Sequence, residues 1–263
     1  MPSPANGVDE TLSCFCGHCR DAAKDVGLDL DSVIKILADG AIDPCVSQPD
    51  TRDEASLWLE ALVAGSPILS HFLRFRADSV AALVAALAED ARRLGRKVSL
   101  DLISPCLAPL VGQDYRRLKQ HCDWAKPMTY RLARGPAGLR LEIPALIEGA
   151  ANRFGLDEAR IMKWCSRHAA FDKDMLLETR EQAVPISFVQ AEIDAAVRAL
   201  APAPVYFGLE LVRQPGVIDV DPVHVVDMVK PGRAANAAGL VISWDLMHAP
   251  MDCIRALAAA QPR

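Results

Sequence analysis

Residues 97–105 read KVSLDLISP, and three further stretches of similar length follow along the chain. The first, third and fourth of these stretches are short apolar runs, which is typical of strands buried on both faces of a parallel sheet. The second stretch is of mixed polarity. Because helical periodicity separates the stretches, the sequence predicts parallel strands joined by crossover helices. The three further stretches are DWAKPMTY (123–130), PVYFGLELV (204–212) and GLVISWDL (239–246).

The fold class that this alternation predicts is α/β, of the (β/α) TIM-barrel type. A closed barrel needs eight strands, whereas the sequence reveals four, so we expect a partial barrel or early strands that the pattern does not reveal. We expect a flexible lead-in over 1–13 and a single domain over 14–263, with a helix-rich part (14–96) and a strand–helix part (97–263). Helical periodicity of the second part covers about 144–153, 157–169, 187–200 and 221–230.

Composition excludes several classes of protein. The 263 residues are 51% hydrophobic and 24% charged, with a formal net charge of −5. Such a chain can bury a core, so it is not disordered as a whole, and it lacks the basic excess of a dedicated nucleic-acid binder. No segment approaches the ~18–20 apolar residues of a membrane span. The start of the chain lacks the features of a signal peptide, so we expect a cytoplasmic protein with reduced thiols.

Carboxylates near the ends of the predicted strands are the candidate catalytic residues. Glu210, Asp101 and Asp245 each lie in a predicted strand. Because (β/α) barrels carry their chemistry at the carboxyl ends of the strands, these side chains would meet at one rim. Two carboxyl groups are what glycoside hydrolysis requires. The alternative is that some of them are structural partners of Lys126 or Arg140.

Polar and aromatic residues of the same strands are candidates for substrate binding. Lys126 and Tyr130 lie at alternate positions of one strand and so share a face, where they could orient a hydroxylated ligand. Trp244 could stack against a sugar ring. The alternatives are that Lys126 neutralises Asp101, that Tyr130 serves packing and that Trp244 belongs to the core.

The segment CFCGHC (14–19) is the sharpest local motif. Cys14, Cys16 and Cys19 could supply three ligands of a tetrahedral zinc ion, with Cys45 or a remote histidine as the fourth. The alternative is a cysteine-rich turn that leads into a helix and holds no metal.

Several segments together resemble uncharacterised bacterial TIM-barrel proteins of the glycoside hydrolase type. The resemblance spans about residues 12 to 250 and implies a barrel whose seventh strand contains Glu210 near the position of the nucleophile. It also implies that the chain corresponds to the C-terminal portion of such a barrel. Asp114 lies in one of the shared motifs and joins the substrate-binding candidates. The motifs are CFCGHC (14–19), FLRFRAD (72–78), DLISP (101–105), VGQDY (111–115), KPMTY (126–130) and SWDL (243–246).

The predicted function is therefore a glycoside hydrolase-like protein that cleaves or binds a glycan, without a cofactor. One alternative is a zinc-binding protein that uses the cysteine cluster. Another is a non-catalytic partial barrel that acts through protein contacts. Because a partial barrel exposes the edges of its sheet, we also expect self-association.

Overall fold

The described residues of the N-terminal part are largely helical, as the sequence predicts. A computed structural model describes residues 14–39, 63, 65–154, 157, 159–163, 173–243 and 246–260. The Ser66 side chain accepts a hydrogen bond from the N–H of Leu69 and caps the long third helix, which ends before Gly95 in a left-handed conformation (φ 69°). Within the described ranges, no helix has both the length and the apolarity needed to cross a membrane. The helices are α1 (Gly17–Asp25), α2 (Leu30–Asp39) and α3 (Pro67–Arg93).

Four parallel strands follow in the order in which they occur along the chain. The first pairs with the second, and the third pairs with the last. A parallel bridge between Ala125 and Val205 joins the two pairs. This sequential order is that of neighbouring strands in a (β/α) barrel, whose closure stays a prediction. The strands are β1 (Ser99–Ile103), β2 (Trp124–Met128), β3 (Tyr206–Glu210), the short hairpin β4 (Arg213–Gln214) and β5 (Ile218–Asp219), and β6 (Gly239–Ser243).

The helices between the strands differ from the predicted ones mainly at their boundaries. The first long helix begins at Leu139 rather than near 144, because the Glu142 carboxylate accepts a hydrogen bond from the N–H of Ala137 and stabilises the first turn. The sequence did not predict the helix over 173–181, and most of the helix expected at 157–169 lies outside the described residues. The helices are α4 (Tyr115–Leu118), α5 (Leu139–Phe154), α6 (Lys173–Glu181), α7 (Ile186–Leu200), α8 (Pro222–Ala234) and α9 (Met251–Ala260), with 3₁₀ turns at Ala108–Val111 and Lys119–His121.

The two faces of the parallel strands have different environments. On one face Phe207 packs so closely on Gly232 of α8 that a Cβ there would lie 1.9 Å from the ring. The other face carries Asp101, Lys126 and Glu210, because side chains alternate along each strand. The main hydrophobic core extends from Leu102 to Leu257, and a smaller cluster joins α1, α2 and the start of α3.

Candidate functional site

The Glu210 carboxylate ends β3 and is almost fully buried, with 2% of the residue exposed. Its Oε1 accepts hydrogen bonds from the N–H groups of Leu132 (3.0 Å) and Ala133 (2.7 Å), and its Oε2 from those of Arg131 (3.0 Å) and Leu132 (3.1 Å). Consecutive N–H groups that converge on one anion form a backbone nest. Glu210 therefore fixes the loop that follows β2, and its predicted role as a catalytic group stays a prediction.

His224 and the Arg131 side chain complete the surroundings of Glu210. The guanidinium Nη1 lies 3.0 Å from His224 Nδ1. Because a guanidinium can only donate, Nδ1 is the acceptor and the proton of the neutral imidazole is on Nε2. That Nε2 lies 3.7 Å from Glu210 Oε2, which is too long for a direct hydrogen bond. Burial lowers the pKa of Arg131, against the charge of Glu210.

Asp101, Lys126 and Tyr130 form a polar group on the face of the strands opposite the helices. Asp101 and Lys126 are register partners, and Lys126 Nζ lies 2.7 Å from Asp101 Oδ2. Burial alone would lower the pKa of Lys126, but the hydrogen bonds to Asp101 and Tyr130 and their charges raise it overall. The Asp101 side chain is 57% exposed and the Lys126 side chain 10%, so the carboxylate faces solvent while most of the lysine side chain is buried.

The Tyr130 ring occupies space that a glycine leaves open. A Cβ on Gly208 would lie 2.6 Å from Tyr130 Cε1. Only glycine at this position of β3 therefore allows the ring to pack directly on the strand. The fold thus brings together three of the predicted site residues, Asp101, Lys126 and Tyr130.

Glu192 is a buried carboxylate that the sequence analysis missed. Its Oε2 accepts hydrogen bonds from the Ser104 hydroxyl (2.7 Å) and the N–H of Cys106 (2.8 Å). Burial raises the pKa of Glu192, although these hydrogen bonds act in the opposite direction. Glu192 on α7 thus holds the loop after β1, as Glu210 holds the loop after β2.

The remaining substrate-binding and catalytic candidates lie apart from this group or outside the described residues. Asp114 caps α4: its carboxylate accepts hydrogen bonds from the N–H groups of Arg116 (2.9 Å) and Arg117 (3.3 Å) and from Arg117 Nε (3.0 Å). Its oxygens are therefore committed to a helix end. Trp244 and Asp245 lie outside the described residues.

The cysteine cluster is compact. The Sγ atoms of Cys14, Cys16 and Cys19 all lie within 4.8 Å of one another. A tetrahedral zinc ion with Zn–S bonds of ~2.3 Å holds its sulfurs about 3.8 Å apart, so the three thiols fit such an ion after small movements. The remaining predicted ligand, Cys45, lies outside the described residues.

The protonation of these thiols is unequal. The N–H of Cys19 and the neighbouring thiols lower the pKa of Cys16. Burial, together with the thiols of Cys14 and Cys16, raises the pKa of Cys19 to about 12. Cys16 is therefore more readily deprotonated than Cys19, and the thiolate is the form that binds a metal.

Comparisons with known proteins return nothing for this chain: no protein-family model, no curated protein and no solved structure matches it.

Proposed function

We propose that the chain is a carbohydrate-binding protein of the (β/α)-barrel type that holds its glycan at the Asp101–Lys126–Tyr130 group. The observation that carries this proposal is the pairing of an exposed carboxylate with a buried ammonium at 2.7 Å. Such a pair offers an acceptor and a donor side by side. Vicinal sugar hydroxyls, which donate and accept in turn, match that pattern.

Aromatic side chains on the same face support a sugar ligand. The rings of Trp124 and Tyr206 lie edge to face with their centroids 5.3 Å apart, and both residues are half-buried. Trp124 lies two positions before Lys126 in β2, and Tyr206 lies four positions before Glu210 in β3. Because side chains alternate along a strand, both rings lie on the face that carries Lys126 and Glu210. Half-exposed aromatic rings provide the apolar surface on which the C–H faces of a sugar pack.

Cleavage of the glycan is the finer part of the proposal. It needs two carboxyl groups about 5–9.5 Å apart across the glycosidic bond. Asp101 is the exposed member of such a pair, and Asp245 is the partner that the sequence offers. Glu210, with both oxygens bonded to main-chain N–H groups, supports the loop beside this site. A cytoplasmic location stays a prediction.

The test is a glycan array with a labelled protein, followed by a chromogenic glycoside panel. Asp101→Asn removes the acceptor charge, and we expect it to weaken binding at least about tenfold, the scale of one charge-assisted hydrogen bond. Asp39→Asn, a change of the same kind at an exposed residue at the end of α2, is the matched control. Folded protein that binds no glycan, or equal binding by the two variants, would refute the proposal.

A structural zinc site is the second candidate function. It is favoured by the three Sγ atoms within 4.8 Å and by the stacking of Phe15 on Phe72, with centroids 5.7 Å apart, which fixes the cysteine segment to α3. An ion held there would stabilise the N-terminal helices rather than act on the glycan.

Metal content after purification without chelator tests this second candidate. We expect about one zinc per chain, lost in Cys16→Ser and retained in Cys122→Ser, which changes a buried thiol outside the cluster. A metal-free wild-type protein that also fails to take up added zinc would reject it.

A further inference from the structure

A cavity of about 510 Å³ opens between the loop that follows β2 and the β4–β5 hairpin. It lies beyond the carboxyl ends of β2 and β3, which is where (β/α) proteins bind their ligands. It is separate from the Asp101 group in its lining residues, which are Leu132, Arg134, Arg140 and the hairpin residues 213–219.

The lining of this cavity is cationic. It contains Arg134, Arg140 and Arg213 against the single acid Asp219, in a chain whose formal net charge is −5. Arg213 is already paired, because its Nη2 lies 3.0 Å from Asp252 Oδ2 and its Nε lies 3.4 Å from Asp219 Oδ1. The other two arginines of the lining, Arg134 and Arg140, therefore have no carboxylate partner within the described residues.

The hydrogen-bonding capacity of these two arginines is largely unused. The Arg134 side chain makes no hydrogen bond or ion pair with the described part of the chain. Arg140 donates from Nη2 to the carbonyl of Glu181 (3.1 Å), while its buried Nε has no hydrogen-bond partner within the described residues. Burial and the charge of Arg134 lower the pKa of Arg140, whereas the charge of Glu210 raises it. The buried Arg140 Nε is a donor without an acceptor, which is costly unless an acceptor such as an anion joins it.

The loop that carries Arg134 is fixed before any ligand arrives. Glu210 accepts hydrogen bonds from the N–H groups of residues 131–133, which precede Arg134. The N–H of Arg134 itself donates to the carbonyl of Val217 in the hairpin (2.9 Å). The hairpin turns at Gly216, whose φ of 77° suits a type II turn after proline. A preorganised site loses less entropy when its ligand binds.

We propose that this cavity binds an oxyanion, with Arg134 and Arg140 as the two groups that hold it. Arginine presents its N–H groups as a planar fork that matches carboxylate, phosphate and sulfate oxygens. The inference does not depend on the proposed glycan function, although the two together specify an acidic saccharide as the substrate class.

The experiment is isothermal titration of the full chain with four probes: inorganic phosphate, sulfate, glucuronate and glucose. Arg134→Gln and Arg140→Gln remove the proposed ligands one at a time. Arg96→Gln, which removes an equal charge at an exposed residue after α3, is the matched control. Arg134 is exposed, so its variant keeps the test valid even where Arg140→Gln impairs folding.

We expect saturable binding of the oxyanions, weakened about tenfold or more by Arg134→Gln and unchanged by Arg96→Gln. Because arginine stays charged, sulfate affinity should not change between about pH 5 and 9. No oxyanion binding by the wild-type protein, or equal weakening in Arg96→Gln, would overturn the inference. Oxyanion binding without any glycan binding would leave the inference intact and reject the proposed function. Equal binding of glucose and glucuronate, without binding of phosphate or sulfate, would support the proposed function and reject the inference.

Discussion

Replacing Glu210 by glutamine tests whether this carboxylate holds the loop after β2. The substitution keeps the size of the side chain and replaces one acceptor oxygen by an NH₂ donor. In the better orientation the amide oxygen keeps the hydrogen bonds from the N–H groups of Leu132 and Ala133. The NH₂ group then takes the place of Oε2, which accepts from the N–H of Arg131 at 3.0 Å in the wild type. One part-buried N–H then lacks an acceptor, which costs up to about 1–3 kcal/mol.

Two further terms adjust this cost. The hydrogen bonds retained by Leu132 and Ala133 lose their charge assistance, at about 1 kcal/mol each. Removing a buried charge returns part of this free energy, because desolvating a carboxylate is unfavourable. We therefore expect Glu210→Gln to lower the free energy of unfolding by about 2–4 kcal/mol.

Urea denaturation followed by circular dichroism measures this difference. Glu148→Gln, which changes an exposed glutamate of α5, should stay within about 0.5 kcal/mol of the wild type. An effect of Glu210→Gln below about 1 kcal/mol would refute the anchoring role. Loss of glycan cleavage by a variant of unchanged stability would instead indicate that Glu210 acts on the substrate.

Three further predictions concern pH and packing. Because burial raises the pKa of Glu192, the folded state holds that proton more tightly, so stability should fall as pH rises from about 4.3; Glu192→Gln should flatten this part of a pH series of urea denaturations. The pKa of Lys126 is raised, so its contribution is complete below about pH 10.4 and is lost as pH rises through the higher folded value. Asp101→Asn lowers the folded pKa, so the same series should show a smaller loss of stability above that pH. Gly208→Ala should lower stability by about 1–3 kcal/mol in thermal denaturation, because its Cβ meets the Tyr130 ring at 2.6 Å, and unchanged stability would show that the ring moves freely.

The elements that the sequence predicted well are the parallel strands, three of which are short apolar runs. The four parallel strands lie within the four stretches that the sequence analysis named. Register also explains the contact between Asp101 and Lys126, which the sequence analysis offered as the alternative to a ligand-binding lysine.

The residues that the sequence analysis missed depend on tertiary contacts. Glu192 lies on the same stripe of α7 as the buried Phe188, Val189 and Ala196, and this position of a charged residue on an apolar stripe was a usable signal. Arg134 had no such signal, because it lies in a loop whose path is fixed by Glu210, a residue far away in the sequence. The predicted partnership of Glu210 with other rim carboxylates could not reveal that its oxygens face main-chain N–H groups.

Amide chemical-shift mapping of the isotopically labelled chain with a bound acidic saccharide tests the central claim most directly. If the glycan binds as proposed, the largest shifts will fall on β1 and β2 around Asp101 and Lys126 and on the loop and hairpin around Arg134. Saturating shifts confined to other surfaces, such as the N-terminal helices, would contradict the assignment of this face as the carbohydrate site.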